Sequence, residues 1–372
     1  MALRVLIIPD KFKGTLTAEA AAQALSRGWH RARRSDKLTL LPMSDGGDGF
    51  GDVMRKLLGG KTEKIKTVDA AHSPCLAPFW WEPRTKTAII ESARVIGLAM
   101  LPKGKFHPFE LDTFGMGPLF LAARRTGARR CLVGIGGSAT NDGGFGLARA
   151  LGWLFLDENG IALDRWTELQ RLQAIKPPPK SAFFQYSVEV AVDVQNQLLG
   201  RHGATRVYGP QKGLRAKDFD FAESCLARLA KIWKRDFGHD LSARKGAGAA
   251  GGLGFGLLAF LGGRMEPGFD MFAQHAGIDQ RLGSADLVIT GEGSIDPSTL
   301  MGKGVGQIAS RCLKYKIPCI GLAGVVKRNA EVARNFKVAR GLTELASMEE
   351  ALARPAVLLE RLAAEVAKTI RE

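Results

Sequence analysis

Short apolar runs alternate with stretches of helical spacing along the whole chain. Thr17 suits the N-cap of a first helix whose apolar positions between residues 18 and 29 follow 4-3-4 spacing, and a last helix is predicted around 348–370. Buried strands are predicted at Val5–Ile8, Leu38–Leu41, Ala88–Ile90, Cys131–Ile135, Val188–Val192, Leu287–Ile289 and Cys319–Leu322. This alternation predicts an α/β fold with a largely parallel sheet, in which ligands bind beyond the carboxyl ends of the strands.

The middle of the chain differs from its flanks, because it holds the Pro177–Pro179 run and the glycine-rich segment Gly246–Gly263. We therefore predict two domains: residues 1–66 and 285–372 form a three-layer α/β/α domain, and residues 67–284 form an inserted second α/β domain. The segment Gly246–Gly263 is uncharged and long enough to span a membrane. Eight of its eighteen residues are glycine, however, which favours a loop that enters a buried helix.

Charge and cysteine content narrow the class of protein. The net charge is +16, from 53 Lys and Arg against 37 Asp and Glu, but the basic residues are scattered and only three Tyr accompany them. That pattern argues against nucleic-acid binding and favours a solvated surface that also attracts small anions. The five cysteines are widely spaced and odd in number, and they show neither a disulfide framework nor a CxxC metal pair. The first apolar stretch is too short for a signal peptide, so a cytoplasmic protein is expected.

Acidic, glycine-rich turns follow several of the predicted strands. After the first strand come Asp10, Lys11 and Lys13, a carboxylate with two cations at a helix entrance, which suits an anion beside a metal. After the second comes the turn 44–49, Ser-Asp-Gly-Gly-Asp-Gly, in which Asp45 or Asp48 could reach Mg²⁺ or a hydroxyl. For each turn alone, a simple helix-capping role is an equally good interpretation. Their recurrence at strand ends favours a ligand site.

The segment 134–144, Gly-Ile-Gly-Gly-Ser-Ala-Thr-Asn-Asp-Gly-Gly, is the strongest single candidate. It lies between a predicted strand and a predicted helix at Phe145–Leu151. Its glycines free backbone N–H groups, Ser138 and Thr140 add hydroxyls, and the helix N-terminus adds a favourable dipole, so the segment predicts a phosphate cradle. Asn141 and Asp142 could orient a metal or a substrate.

Further candidates follow other strands. Glu292 and Asp296 lie in the turn 290–296 and could serve metal or substrate, while Lys303 could neutralise phosphate charge. Asp193 could accept a proton from an attacking hydroxyl, although a capping role is nearly as well supported. Glu91 and Thr113 are weaker candidates for carboxylate and hydroxyl recognition.

Several familiar motifs are absent from the sequence. There is no GxxxxGK[ST], no HRD and DFG pair, no nucleophile elbow and no HExxH, which argues against P-loop enzymes, protein kinases, α/β hydrolases and zinc proteases. The segment 246–251 formally matches GxGxxG, but it follows the polar residues 242–245 instead of a strand. A nicotinamide-binding hypothesis from it is weak.

Together, six ordered motifs resemble those of the bacterial glycerate kinase family, of the type that phosphorylates the 2-hydroxyl. Their chain segments are 10–15 (D-x-F-K-G-[ST]), 44–49 (A-D-G-G-E-G), 136–144 (G-G-S-A-T-N-D-G-G), 207–213 (F-G-P-Q-K-G), 246–256 (G-A-G-A-A-G-G-L-G) and 286–296 (A-D-L-V-I-T-G-E-G-x-[IL]-D), with the family pattern in brackets. The resemblance covers nearly the full length of the chain.

The resemblance implies two α/β domains with the active site between them. It also implies ATP, Mg²⁺ and D-glycerate, with 2-phosphoglycerate as the product. Carried onto this sequence, it predicts catalytic roles for Asp193 as base, Lys13 and Asp10. It predicts cofactor binding by Gly136, Gly137, Ser138, Thr140, Asn141, Gly291, Glu292 and Lys303. Substrate binding is predicted for Asp45, Gly46, Gly47, Glu91 and Thr113, and metal binding for Asp142 and Asp296.

The sequence departs from the family pattern at Arg94, Met116, Gln195 and Ser298, so substrate preference is less defined than the reaction. Arg94 could favour a more acidic acceptor or could lie on the surface. The alternatives are a kinase for another hydroxy acid or for the 3-hydroxyl, and a non-catalytic nucleotide- or nucleic-acid-binding protein. The expected partner is a small molecule, with neither nucleic acid nor membrane, in a monomer or homodimer.

Overall fold

The computed structural model describes residues 2–179, 186–300, 304–327 and 329–370. The chain forms two compact units. The discontinuous unit contains residues 1–45 and 269–372, and the continuous unit contains residues 46–268.

The described strands are β1 (Arg4–Ile7), β2 (Lys37–Leu40), β3 (Lys61–Val68), β4 (Pro74–Glu82), β5 (Thr87–Glu91), β6 (Arg130–Gly134), β7 (Leu154–Leu156), β8 (Ala174–Lys176), β9 (Ser187–Ala191), β10 (Arg264–Glu266), β11 (Leu287–Thr290), β12 (Ser294–Ile295), β13 (Cys319–Ala323), β14 (Val325–Val326) and β15 (Val338–Gly341). The described helices are α1 (Ala18–Ala32), α2 (Phe50–Leu58), α3 (Ala93–Ile96), α4 (Gly117–Arg125), α5 (Phe145–Ala150), α6 (Ala204–Lys212), α7 (Phe219–Phe237), α8 (Leu253–Leu261), α9 (Gly268–Ala276), α10 (Ile278–Gly283), α11 (Gly304–Tyr315), α12 (Ala330–Asn335), α13 (Met348–Ala353) and α14 (Pro355–Thr369). All seven strands predicted from the sequence are present.

The discontinuous unit is built on a parallel sheet in the order β15-β13-β11-β1-β2. Along the chain, β1 is followed by β2, which lies next to β1 at one edge of the sheet. Strand β11 is followed by β13 and then β15, which extend the sheet towards the opposite edge. Because strand–helix–strand crossovers are right-handed, these opposite directions place α1 and α11 on opposite faces of the sheet. The unit therefore has the α/β/α layers expected from the sequence.

Helix α1 begins where the sequence predicts. The Oγ1 atom of Thr17 accepts a hydrogen bond from the Ala20 N–H at 3.1 Å, which caps the helix. The predicted last helix around 348–370 is wrong in one respect, because the structure divides it into α13 and α14 at Arg354. Pro355 begins the second helix, and a proline disfavours helical backbone in the residue before it.

The continuous unit is built on a six-stranded sheet in the order β10-β9-β6-β5-β4-β3. Strands β5, β6, β9 and β10 pair in parallel, and β3 and β4 complete the sheet with antiparallel pairing. Helix α8 is apolar throughout and mostly buried, which confirms that Gly246–Gly263 is a loop followed by a buried helix. Among the described residues, no helix is long and apolar enough to cross a membrane.

The unit boundaries differ from the predicted ones, which were drawn after residue 66 and after residue 284. In the structure they fall after residues 45 and 268. Residues 46–66 belong with the continuous unit because α2 packs on β4 and β5, and β3 pairs along its whole length with β4. Residues 269–284 belong with the discontinuous unit, where α10 packs on α11.

Candidate active site

In the discontinuous unit, the crevice between the carboxyl ends of β1 and β11 is the point where the strand order reverses. Ligands of open α/β sheets bind at such a switch point. Asp10 follows β1 at this place, and its N–H donates to the carbonyl oxygen of Gly291, after β11, at 2.8 Å. A Cβ on Gly291 would lie 1.9 Å from the Leu322 carbonyl oxygen, so only glycine fits there. The sheet thus brings the turns 9–14 and 290–296 together.

Asp10 is a buried carboxylate among other charges. Its Oδ1 atom accepts the Lys11 N–H at 2.7 Å, and the Lys11 ammonium lies 3.5 Å from Oδ1 of Asp45. Burial raises the pKa of Asp10 to about 7, the negative charge of Asp45 acts in the same direction, and Lys11 opposes both. Glu292 adds a smaller upward effect. The cluster therefore combines a buried carboxylate, Asp10, with the partly exposed charges of Lys11 and Asp45.

Such a cluster can hold a divalent cation. Within the described part of the chain, no three or more His, Cys, Asp or Glu side chains form a metal site by themselves. Mg²⁺, however, is commonly held by one or two carboxylates, with water and phosphate oxygens as the remaining ligands. Asp10 and Asp45 have that composition, and a bound cation would relieve their mutual repulsion.

Two other predicted residues of the discontinuous unit, Lys13 and Asp296, lie in turns that follow β1 and β12. Lys13 is exposed, and its backbone nitrogen would lie 3.5 Å from a Cβ on Gly293. Asp296 shapes its own turn, because its Oδ1 atom accepts the Ser298 N–H at 2.8 Å and the Ser298 hydroxyl at 2.5 Å. Lys303 lies outside the described residues.

In the continuous unit, three chain segments meet at the carboxyl ends of β6 and β9. The Gly136 N–H donates to the carbonyl oxygen of Gly46 at 3.3 Å. A Cβ on Gly136 would lie 2.6 Å from the Cα atom of Gly47, and one on Gly46 would lie 2.7 Å from the carbonyl oxygen of Ala191. Glycines are needed here because the backbones approach so closely. The structure thus brings together the turn 46–49 and the loop 136–144.

The side chain of Glu91 stabilises the end of the turn 46–49 through hydrogen bonds. It is 1% exposed, and its two oxygens accept the N–H groups of Gly49 at 3.0 Å and Gly51 at 2.8 Å. Burial raises the pKa of Glu91, while these two hydrogen bonds and Arg94 act against that change. The carboxylate is therefore occupied within the protein.

Arg94 lies partly on the surface. Its Nη2 atom is 2.6 Å from Oδ2 of Asp52, and its Nε atom is 3.5 Å from Oε1 of Glu91. Two carboxylates thus balance its charge.

Asp142 is buried inside the loop 136–144 and shapes it. Its Oδ2 atom accepts hydrogen bonds from the N–H and the hydroxyl of Thr113 at 2.9 and 2.7 Å and from the Gly146 N–H at 2.9 Å. Its Oδ1 atom accepts the Gly144 N–H at 3.2 Å. Burial, followed by the charge of Asp112, raises the pKa of Asp142 to about 6. These four hydrogen bonds tie the Asp142 carboxylate to Thr113 and to the backbone at residues 144 and 146.

The remaining polar groups of the loop are also buried. The hydroxyls of Ser138 and Thr140 bond to each other at 2.9 Å. The Asn141 Nδ2 group donates to Oγ1 of Thr205 at 3.1 Å, whereas Oδ1 of Asn141 has no hydrogen-bond partner among the described residues although it is buried. A buried amide oxygen without a hydrogen-bond partner is unfavourable. It therefore indicates a place where a ligand can donate a hydrogen bond.

Lys212 was not among the predicted site residues, although it lies in the segment 207–213 that resembles a family motif. It is 6% exposed, and its ammonium donates to the carbonyl oxygen of Thr140 at 2.6 Å. Burial lowers the pKa of Lys212 to about 7, and the nearby Asp142 opposes that change. The motif was the signal that could have identified Lys212.

Asp193, the predicted base, is exposed after β9 and accepts the Gly268 N–H at 2.7 Å.

A parallel α/β sheet with carboxylates at its switch point, together with glycine-rich loops after strands, is typical of enzymes that handle phosphorylated ligands. The model of the glycerate kinase family matches residues 5–371. The chain therefore belongs to the glycerate kinase family. It is an enzyme, a kinase that transfers a phosphoryl group to an alcohol.

Individual proteins with glycerate kinase names are similar to this chain in sequence and in structure. A glycerate kinase of Halalkalibacterium halodurans is 35% identical over 370 residues, which cover 98% of this chain and 97% of the relative. A glycerate 2-kinase of Escherichia coli is 32% identical over 359 residues, covering 94% and 93%. A crystal structure of a protein assigned as glycerate kinase 2 from Salmonella typhimurium LT2 matches with a TM-score of 0.85 at 31% identity, covering 99% of this chain and 98% of that one.

Proposed function

We propose that the protein transfers the γ-phosphoryl group of ATP to the 2-hydroxyl of D-glycerate, with Mg²⁺, and releases ADP and 2-phosphoglycerate. The observation that carries the proposal is the cluster of Asp10, Lys11 and Asp45 at the switch point of a chain from a kinase family. Phosphoryl transfer depends mainly on positioning and charge stabilisation, which such a cluster can provide. The similarity to a glycerate 2-kinase supports the choice of the 2-hydroxyl.

This proposal assigns a separate role to each group of residues. Asp10 and Asp45 would hold Mg²⁺, and the bound cation would supply positive charge to the phosphates. Lys13 contacts phosphate, and Asp193 accepts the proton of the attacking hydroxyl. The loop 136–141 binds the nucleotide. The residues predicted to bind the nucleotide in the discontinuous unit, namely Gly291, Glu292 and Lys303, contribute further contacts.

The structure favours a revised role for three predicted contact residues. The carboxylates of Glu91 and Asp142 and the hydroxyl of Thr113 are all engaged in hydrogen bonds within the protein. We therefore propose that they shape the two loops, and that the backbone around Gly46 and Gly47 contacts the acceptor. Asp296 likewise shapes its turn.

Kinase activity on a more acidic acceptor is the second candidate, and the departure at Arg94 first suggested it. Because Asp52 and Glu91 balance the Arg94 charge, that residue offers little to an additional carboxylate. Met116 is buried in the core, and Ser298 bonds to Asp296. These contacts give local reasons for three departures, and D-glycerate remains the better-supported acceptor.

The deciding experiment measures ADP release by the purified protein with Mg·ATP and D-glycerate. Parallel reactions contain L-glycerate, other hydroxy acids or no acceptor, and phosphorus NMR identifies the phosphorylated carbon. Turnover specific to D-glycerate with phosphate on C2 is expected. Turnover with a different acceptor, or phosphate on C3, would contradict the proposed substrate or position while leaving the kinase class intact.

Asp10→Asn and Asp45→Asn test the proposed cation site. Each removes one of the two carboxylates, so we expect at least a 100-fold loss of kcat/KM together with a higher Mg²⁺ requirement. Asp286→Asn is the matched control, because Asp286 bonds to Arg4 through its side chain and precedes β11. Wild-type magnesium dependence in both site variants would rule out their role as metal ligands.

We further propose a cytoplasmic enzyme that acts as a monomer or homodimer without nucleic acid. Its +16 charge then serves solubility and attraction of anionic substrates. Salt-dependent binding to DNA at physiological ionic strength would contradict this part of the proposal.

A further inference from the structure

Helix α6 presents two polar side chains to consecutive residues of the loop 136–144. Thr205 and Lys212 are seven residues apart, close to two helical turns, so they lie on the same face of the helix. The Lys212 ammonium donates to the Thr140 carbonyl oxygen at 2.6 Å, and Oγ1 of Thr205 accepts from Asn141 at 3.1 Å. The helix therefore holds the Thr140–Asn141 segment at two points.

Lys212 occupies a place that is costly for a charged group. The residue is 6% exposed, and the group that opposes the effect of burial on its pKa is the carboxylate of Asp142, itself fully buried. Burying an ammonium costs several kcal/mol unless its partners compensate. An apolar side chain of the same length would fill the space without this cost. The position of Lys212 thus points to a function beyond packing.

The Thr140–Asn141 segment also needs support from outside the loop. It lies between β6 and α5 and belongs to neither, so no ladder or helical bond fixes it. The hydroxyls of Ser138 and Thr140 bond to each other, and the described contacts leave Oδ1 of Asn141 without a partner. Among the buried side-chain atoms of this described segment, the one without a hydrogen-bond partner is an acceptor. Its complement is a hydrogen-bond donor, such as a ligand hydroxyl.

We propose that Lys212 is a positioning residue: with Thr205 it fixes the Thr140–Asn141 segment so that Oδ1 of Asn141 receives a hydrogen bond from a hydroxyl of the bound ligand. The ammonium on the Thr140 carbonyl also polarises the peptide group that links Thr140 to Asn141. The kinetic consequence rests on the proposed kinase function, whereas the ordering of the loop rests on the geometry alone.

The test compares full-length variants that remove one contact each. Lys212→Met keeps the length of the side chain and removes the ammonium, and Thr205→Val keeps the shape and removes the hydroxyl. Lys217→Met is the matched control, because Lys217 is exposed a few residues further along the chain. Hydrogen exchange read by mass spectrometry reports on peptides that cover 136–144, thermal unfolding reports on the fold, and steady-state kinetics reports on KM and kcat.

For Lys212→Met we expect an unfolding temperature close to that of wild type, because the gain from removing a buried charge is offset by the unpaired carbonyl oxygen of Thr140. Exchange in 136–144 accelerates locally, and kcat/KM falls about 10- to 100-fold, the loss typical of a charge-assisted hydrogen bond. A misplaced binding loop also raises KM for the substrate that it holds. Thr205→Val gives smaller changes in the same direction, and Lys217→Met gives none.

Two results would overturn the inference. One is wild-type exchange in 136–144 together with kcat/KM within threefold of wild type in Lys212→Met. The other is a lower unfolding temperature with faster exchange throughout the continuous unit and an unchanged KM, which would make Lys212 a purely structural residue. If the wild-type protein phosphorylates no acceptor, the proposed function fails, while the exchange experiment still decides the role of Lys212.

Discussion

Asp10 illustrates a conflict between function and stability at the scale of one residue. Its carboxylate is buried beside Asp45, and its pKa is raised to about 7 from an ordinary value of 3.8. In the unfolded chain the carboxyl group ionises at its ordinary pKa. The native state therefore binds this proton more tightly, and the stability that protonated Asp10 contributes is lost as pH rises from about 4 through about 7.

Asp10→Asn should therefore stabilise the protein against unfolding in a pH-dependent way. The neutral amide keeps an oxygen that can accept the Lys11 N–H and removes the buried charge. We expect a gain on the order of a few kcal/mol at pH 8 and a clearly smaller gain at pH 5, measured by denaturant unfolding without Mg²⁺. Equal gains at both pH values would contradict the raised pKa.

Asp286 provides a control in which the pKa shift has the opposite sign to that of Asp10. The side-chain hydrogen bond from Arg4 lowers the pKa of Asp286 to about 2. The stability that this pair contributes is present above pH 4 and is lost as pH falls through about 2. Asp286→Asn should therefore lower the unfolding midpoint at pH 8, with a difference from wild type that shrinks towards pH 2.

At the scale of elements, glycines decide how closely α5 and α8 approach. Gly256 lies within α8 with ordinary helical backbone, where alanine normally stabilises a helix by about 1 kcal/mol. In the structure, however, a Cβ on Gly256 would lie 2.6 Å from Cα of Gly144 and 2.9 Å from the carbonyl oxygen of Gly143. The contact holds the end of the loop 136–144 against α8.

Gly256→Ala should therefore destabilise the protein by about 1–3 kcal/mol, because the clash outweighs the gain in helix propensity. Chemical denaturation measures the change, and hydrogen exchange in 136–144 should rise with it. Gly283→Ala is the matched control at the end of α10, since no other atom lies within 4 Å of the Cβ position at Gly283. A neutral result for Gly256→Ala would show that the two helices can separate freely.

Much of this element structure could be predicted from the sequence. The seven predicted strands differ from the observed ones by at most one residue at either end, because runs of buried apolar residues signal strands directly. The predicted cap at Thr17 is also confirmed. The break at Arg354 was missed, although Pro355 signalled it, because the helical spacing of apolar residues continues across the proline.

At the scale of the whole molecule, each unit has a separate hydrophobic core. One cluster of buried residues runs from Ala70 to Phe260, and another combines residues between Val5 and Ile370 from both ends of the chain. The continuous unit therefore contains a core within one stretch of sequence. In the discontinuous unit, β1 lies between β11 and β2, and α1 packs along α14.

This difference predicts how fragments behave. Residues 46–268 alone should fold with a cooperative unfolding transition, because their core and sheet are complete. Residues 269–372 alone should stay largely unfolded, because strands β1 and β2 of the sheet and helix α1 are missing, and addition of residues 1–45 should restore helical circular dichroism. Cooperative folding of 269–372 without that addition would contradict the prediction.

The sequence by itself determined the strands, the acidic and glycine-rich turns that follow them, and the resemblance to a kinase family, because these signals lie within short stretches of chain. Only the tertiary structure decided which polar atoms are already occupied. Asp142 bonds to Thr113, 29 residues away, and Lys212 to Thr140, 72 residues away. Burial and hydrogen-bond partners are set by segments that meet only when the chain folds. The same residue types could therefore be predicted as candidates, but not divided into those that face a ligand and those that hold the loops.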